Sequence, residues 1–139
     1  MKNLLILFAL VSFTSFAKAQ EIPTGDAEFR AVITQQMQAI AQDDASSAYA
    51  KIAPNVQRIF PTADIFMNMV RGGYPAVYRH KLFGFGEAGI DESGRPFQTV
   101  EILGADGARY TAVYFMERQE DDTWKISGVV MAKAPETDA

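Results

Sequence analysis

An α+β domain, with N-terminal helices packed in a curved antiparallel sheet of four strands, is the fold this sequence predicts. Three observations carry that expectation. Apolar residues recur at spacings of three and four in the first half of the chain, they alternate with polar residues in the second half, and short turn clusters divide that second half into four runs. Helices followed by hairpin-connected strands is the α+β order, and a sheet curved around the leading helices buries both apolar faces.

Each element has its own warrant. Asp26 is placed to cap a first helix whose Phe29, Val32, Ile33, Met37 and Ile40 fall on one face. Asp43 and Asp44 offer caps for a second, with Ala45, Ala48, Tyr49 and Ile52 inward, until Pro54 stops it. Residues 55–60 read as a short strand or a loose turn. Thr62 caps a third helix with Ile65, Phe66, Met69 and Val70 on its apolar side; Gly72 and Gly73 close it in a left-handed turn, and Pro75 keeps it from resuming. Four strands follow, at residues 77–85, 95–103, 109–118 and 123–132, separated by turns at Ser93 and Gly94, at Asp106 and Gly107, and at Glu120 to Asp122. On the third strand Tyr110, Ala112, Tyr114 and Met116 share one face. On the fourth, Trp124, Ile126, Val130 and Ala132 do so with Gly128. Gly84, Gly86 and Gly128 suit bends or bulges.

Composition bounds the rest. A chain of 139 residues with 48% apolar and 12% aromatic content reads as one globular domain. Lys2, the apolar run of residues 4–11 and the sequence Ala17, Lys18, Ala19 predict a leader over residues 1–19, cleaved between Ala19 and Gln20. The apolar run is too short to span a bilayer, so no stable membrane anchor is expected. The domain then covers residues 20–134, with a frayed tail at 135–139, and export places it in the periplasm or outside the cell. Losing Lys2 and Lys18 from 13 basic residues leaves 11 against 17 acidic ones, a net charge of −6. That disfavours nucleic acid as a partner. Without cysteine, the chain uses no disulfide.

Residues 69–87, MVRGGYPAVYRHKLFGFGE, and residues 110–131, YTAVYFMERQEDDTWKISGVVM, resemble a family of small secreted proteins of Gram-negative bacteria, domain of unknown function 4864. The block GGYPAVYR is the most specific part, and the likeness extends over most of the exported chain. His80 is a departure, since that family usually carries proline there. The order of elements also resembles the cystatin-like cone of the nuclear transport factor two-like and SnoaL-like superfamily. The resemblance implies a fold and an export signal, and no activity.

Candidate chemistry is sparse. Gly84, Gly86 and Gly89 spell GxGxxG, but the residues after them cannot open a helix, so a dinucleotide site is not expected and the glycines read as strand bends and a turn. No cofactor is read. One histidine and scattered turn carboxylates make no metal site. His80, flanked by Arg79 and Lys81, reads as a strand-edge residue, and Glu101 and Glu117 as solvent-facing. Arg71, Tyr74, Tyr78 and Arg79 form the candidate ligand-binding set. They lie in the one locally basic segment, where paired guanidiniums and a phenol can grip a carboxylate or phosphate. The bland alternative for them is a structural corner. The reading favours a non-catalytic binding or accessory domain for a small anionic or apolar ligand over a SnoaL-type isomerase, dehydratase or hydrolase. It allows a homodimer through the sheet, with Phe115 or Trp124 in the contact.

Overall fold

The computed structural model describes residues 26–135, so the expected leader and its cleavage point lie outside the described residues. Among those described, the helices are α1 (Asp26–Ala41), α2 (Ala45–Tyr49), α3 (Pro54–Ile59), α4 (Ala63–Gly73) and α5 (Pro75–Tyr78). The strands are β1 (His80–Ile90), β2 (Pro96–Gly104), β3 (Arg109–Arg118) and β4 (Trp124–Lys133). They form an open antiparallel sheet in the order β1-β2-β3-β4. The chain is therefore α+β.

The first helix buries Phe29, Ile33, Met37 and Ile40, four of the five residues its periodicity put on one face, and Val32 is partly buried beside them. It begins at Asp26, so the expected cap is its first helical residue. Its end is a Schellman turn: the Asp44 amide donates to Ala39 O at 2.8 Å and the Asp43 amide to Ile40 O at 3.0 Å. Asp43 takes the left-handed conformation there, with φ of 54°. Asp44 alone caps α2, accepting the Ser47 amide at 3.2 Å and its hydroxyl at 2.6 Å.

Both prolines were expected to halt helices, and both instead open one. Pro54 and Pro75 occupy the first turn of α3 and α5, where a missing N–H costs nothing and a fixed φ helps. Residues 55–60 are thus helical rather than strand or loose turn. Thr62 caps α4 as expected, accepting the Ile65 amide at 3.2 Å. Its buried residues are Phe66, Met67 and Val70, while Ile65 is 46% exposed. Gly72 and Gly73 are helical, not left-handed, and the chain leaves through Tyr74 at φ −133°.

Three register shifts interrupt the sheet, the first between His80 and Leu82 at the start of β1, and the other two set its faces. One lies between Phe85 and Ala88 of β1, within the glycine-rich stretch, which is continuous strand to Ile90. Gly86 lies against Thr99 and Gly89 against the Phe97 ring, where a Cβ would make ordinary contact at 3.4 and 3.5 Å. The other lies where Phe115 pairs with Gly128 but Met116 with Ile126, so Ser127 is the extra residue. It reverses the alternation of β4: Trp124 and Ile126 point inward, then Val129 and Met131 pair with the inward Tyr114 and Ala112, and Val130 is 57% exposed. The expected grouping of Val130 and Ala132 with Trp124 fails for that reason. Trp124 is also core rather than contact patch, its ring edge-on to Phe29 at 4.8 Å.

Candidate functional site

Helices and sheet leave a cavity of about 240 Å³ between them. Gln36 and Ile40 of α1, Val56 and Ile59 of α3, Met69 and Val70 of α4, Tyr114 of β3 and the Ile126 to Val129 stretch of β4 contribute to its wall, with Tyr74 and Val77 beside them. The deep side is buried, while Ile59 at the rim is 68% exposed. It forms here because β4 is a sheet edge. Among the described residues only Ile126 of β4 has a backbone pairing beyond the sheet, with Lys51 O at 2.9 Å and the Ala53 amide at 2.8 Å, before Pro54 turns the chain into α3. Past that point side chains take over. The Asn55 amide donates to Ser127 O at 3.1 Å, and the Tyr74 hydroxyl reaches Val129 O at 3.4 Å.

The polar groups of the wall are few. Tyr114 is 1% exposed, and its hydroxyl meets the Met37 thioether at 3.6 Å, a poor acceptor. Burial, and then the nearby Tyr74 phenol, push the Tyr114 phenol well above its ordinary value, so it stays a neutral donor. Gln36, 4% exposed, donates to Ala48 O at 3.3 Å. Among the described lining residues none is Asp, Glu, His, Lys or Arg.

The four candidate residues divide. Arg71, Tyr78 and Arg79 gather at an exposed cluster, but the carboxylate they meet is the chain's own Asp43. Its oxygens accept the Tyr78 hydroxyl at 2.6 Å and the Arg79 guanidinium at 2.7 Å, with Arg71 at 4.0 Å. Both guanidiniums lie over the Tyr78 ring, at 3.7 Å for Arg79 and 5.2 Å for Arg71. This latch explains why an aspartate holds the left-handed turn after α1. Tyr74 is not part of it and lines the cavity instead.

The Tyr78 hydroxyl and then Arg79 hold the Asp43 carboxyl below its usual range. A depressed carboxylate favours the folded state above its unfolded value and loses that contribution as pH falls through the folded one. Carboxyl-carbon NMR of Asp43 should therefore give a lower midpoint in the wild type than in Tyr78→Phe or Arg79→Ala. Because the pair is exposed, neither variant should move the melting temperature much. Equal midpoints in all three proteins would mean that the latch does not persist in solution.

His80 has its Nδ1 at 2.9 Å from Val77 O and its ring edge-on to Phe83 at 5.3 Å, a helix-end contact at the start of β1. Glu101 and Glu117 are exposed on the outer face, Glu101 accepting the Thr111 hydroxyl at 2.9 Å. Among the described residues no three His, Asp or Glu gather as metal ligands.

Gln36, Tyr114 and Asn55 went unmarked by motif reasoning. A signal for Gln36 existed: it is a polar residue on the inward stripe of α1, between Ile33 and Ile40. Gln98 is its counterpart on β2, fully buried and alternating with Val100 and Ile102.

These features define a class of protein: a small α+β domain whose helices and open four-stranded sheet enclose an apolar, phenol-lined cavity. The family can be stated as well. The chain belongs to the family described as Domain of unknown function (DUF4864), whose model matches residues 23–139. No curated protein and no solved structure matches it.

Proposed function

We propose that this protein is an exported, non-catalytic binding domain that holds a small, largely apolar molecule in the cavity between α3, α4 and β4. On this reading the fold is a cystatin-like cone of the SnoaL-like and nuclear transport factor two-like kind, which the leading helices and the antiparallel sheet in the order β1-β2-β3-β4 support. The observation that carries the reading is the cavity itself, about 240 Å³ with a mostly apolar wall and two phenols. An engineered apolar cavity of roughly 150 Å³ already binds benzene. A SnoaL-type enzyme would need a proton-transfer group, and the described lining supplies no carboxylate or imidazole for that work.

The test uses the exported chain, expected by intact mass to begin at Gln20. Isopropylbenzene should shift the methyl resonance of Met69, with saturation, and raise the melting temperature as a ligand of the native state does. Val56→Trp, which places an indole at the half-buried rim, should abolish both effects while the protein stays folded. No saturable shift in the wild type, or an unchanged one in Val56→Trp, would overturn the assignment.

A second copy is the partner we propose for the outer sheet face, because two apolar pairs lie on it, Leu82 at 67% exposure beside Leu103 and Val130 at 57% beside Val113. Sedimentation should show a dimer that Val130→Lys dissociates, and a monomer at every concentration would count against it.

A further inference from the structure

We infer that the cavity selects an uncharged ligand carrying one hydrogen-bond acceptor of the carbonyl type on an apolar body, seated against the hydroxyls of Tyr114 and Tyr74. This rests on the proposed binding reading and narrows it to a chemical class. Three observations lead to it.

The first is an under-used donor. Tyr114 is 1% exposed and lines the cavity, and the partner of its hydroxyl is a thioether at 3.6 Å. A buried hydroxyl without a good acceptor is costly, and native proteins rarely leave one so. A ligand oxygen at that point recovers the lost bond. The second is a loosely held donor beside it. Tyr74 reaches Val129 O at 3.4 Å, near the limit of a hydrogen bond, so turning toward a ligand sacrifices little.

The third is the absence of countercharge. Among the described lining residues there is no Lys, Arg or His. The two arginines expected to grip an anion lie instead on Asp43, in a cluster that does not line the cavity. Burying a carboxylate here would strip its hydration with no cation to replace it. The alternatives offered by the sequence, anionic or apolar, therefore resolve toward a neutral molecule. Val129 and Ile126 of β4 and the Tyr114 ring, with Val70 and Ile40, supply its apolar bed.

Three probes of similar shape separate the ideas: acetophenone carries the carbonyl, isopropylbenzene replaces it with a methyl group, and benzoate replaces it with a charge. Each is titrated into the exported chain while the Met69 methyl resonance is followed. Acetophenone should bind roughly threefold to tenfold more tightly than isopropylbenzene, the worth of one neutral hydrogen bond. Benzoate should not saturate the site. In Tyr114→Phe the preference for acetophenone should vanish while the isopropylbenzene affinity stays within about twofold, because the ring is kept and one hydroxyl is lost. That variant should melt no lower than the wild type, since its hydroxyl has little to lose. If isopropylbenzene binds but acetophenone gains nothing, if benzoate binds best, or if Tyr114→Phe keeps the preference, the inference is wrong and the binding reading stands. If no probe perturbs Met69, both fall together.

Discussion

Trp124→Ala is expected to remove about 3–5 kcal/mol of stability, as deletion of a large buried aromatic does. The indole is 8% exposed at the start of β4, on the inward face, and packs edge-on against Phe29 of α1 at 4.8 Å. It joins the first helix to the last strand, so its loss opens a void between elements far apart in sequence. Domains of this size have about 5–15 kcal/mol in hand, so at the lower end of that range the variant is close to unfolding. Phe115→Ala is the matched control. Phe115 sits on the outer face, half-buried, with the Arg95 guanidinium over its ring at 4.0 Å. Its replacement should cost well under half as much, because water already reaches the ring. Urea midpoints of the two variants decide the matter, and equal losses would show that the two faces of the sheet are assigned wrongly.

Gln98→Glu should be nearly as damaging, with a pH dependence that identifies the cause. Gln98 has no exposed surface. Its Nε2 donates to Gly86 O at 3.1 Å and Glu87 O at 3.4 Å in the β1 bulge, and to Thr99 O at 2.9 Å. Its Oε1 has no partner among the described residues. A glutamate would turn acceptor oxygens toward three carbonyls and bury a charge beside them, a loss on the order of 3 kcal/mol or more at neutral pH. Burial raises the folded-state value of that carboxyl above its unfolded value of about 4.3. Stability is then least impaired below the unfolded value and falls as pH rises toward the folded one. The gap in melting temperature between wild type and Gln98→Glu should therefore widen from about pH 5 to pH 8. A constant gap would mean that the carboxylate reaches water and that the bulge is not sealed.

The sequence by itself determined what depends on near neighbours. Periods of 3.6 and 2 assign the α1 stripe and the inward face of β3. Thr62 and Asp44 read as caps because a cap acts within three residues, and the bounds of β3 follow from the turns beside it. The GGYPAVYR block read as a likeness to the family whose model matches residues 23–139. Local signals misled where one residue type serves two roles: Pro54 and Pro75 read as helix stops and instead open α3 and α5, and Gly72 and Gly73 stay helical. Tertiary structure alone decided the rest. The bulge at Ser127 reverses the alternation of β4, and it shows only against the register of β3. That Arg79 meets Asp43, 36 residues earlier, depends on how α1 and α5 approach each other, so no local signal tells that the guanidinium of the candidate anion site has a carboxylate of its own chain beside it. The cavity belongs to no single element, because it is the space that α1, α3, α4, β3 and β4 fail to fill when each has packed its own apolar face. Periodicity can say which face a residue takes, and only the assembled packing says whether anything fills the space that face looks into.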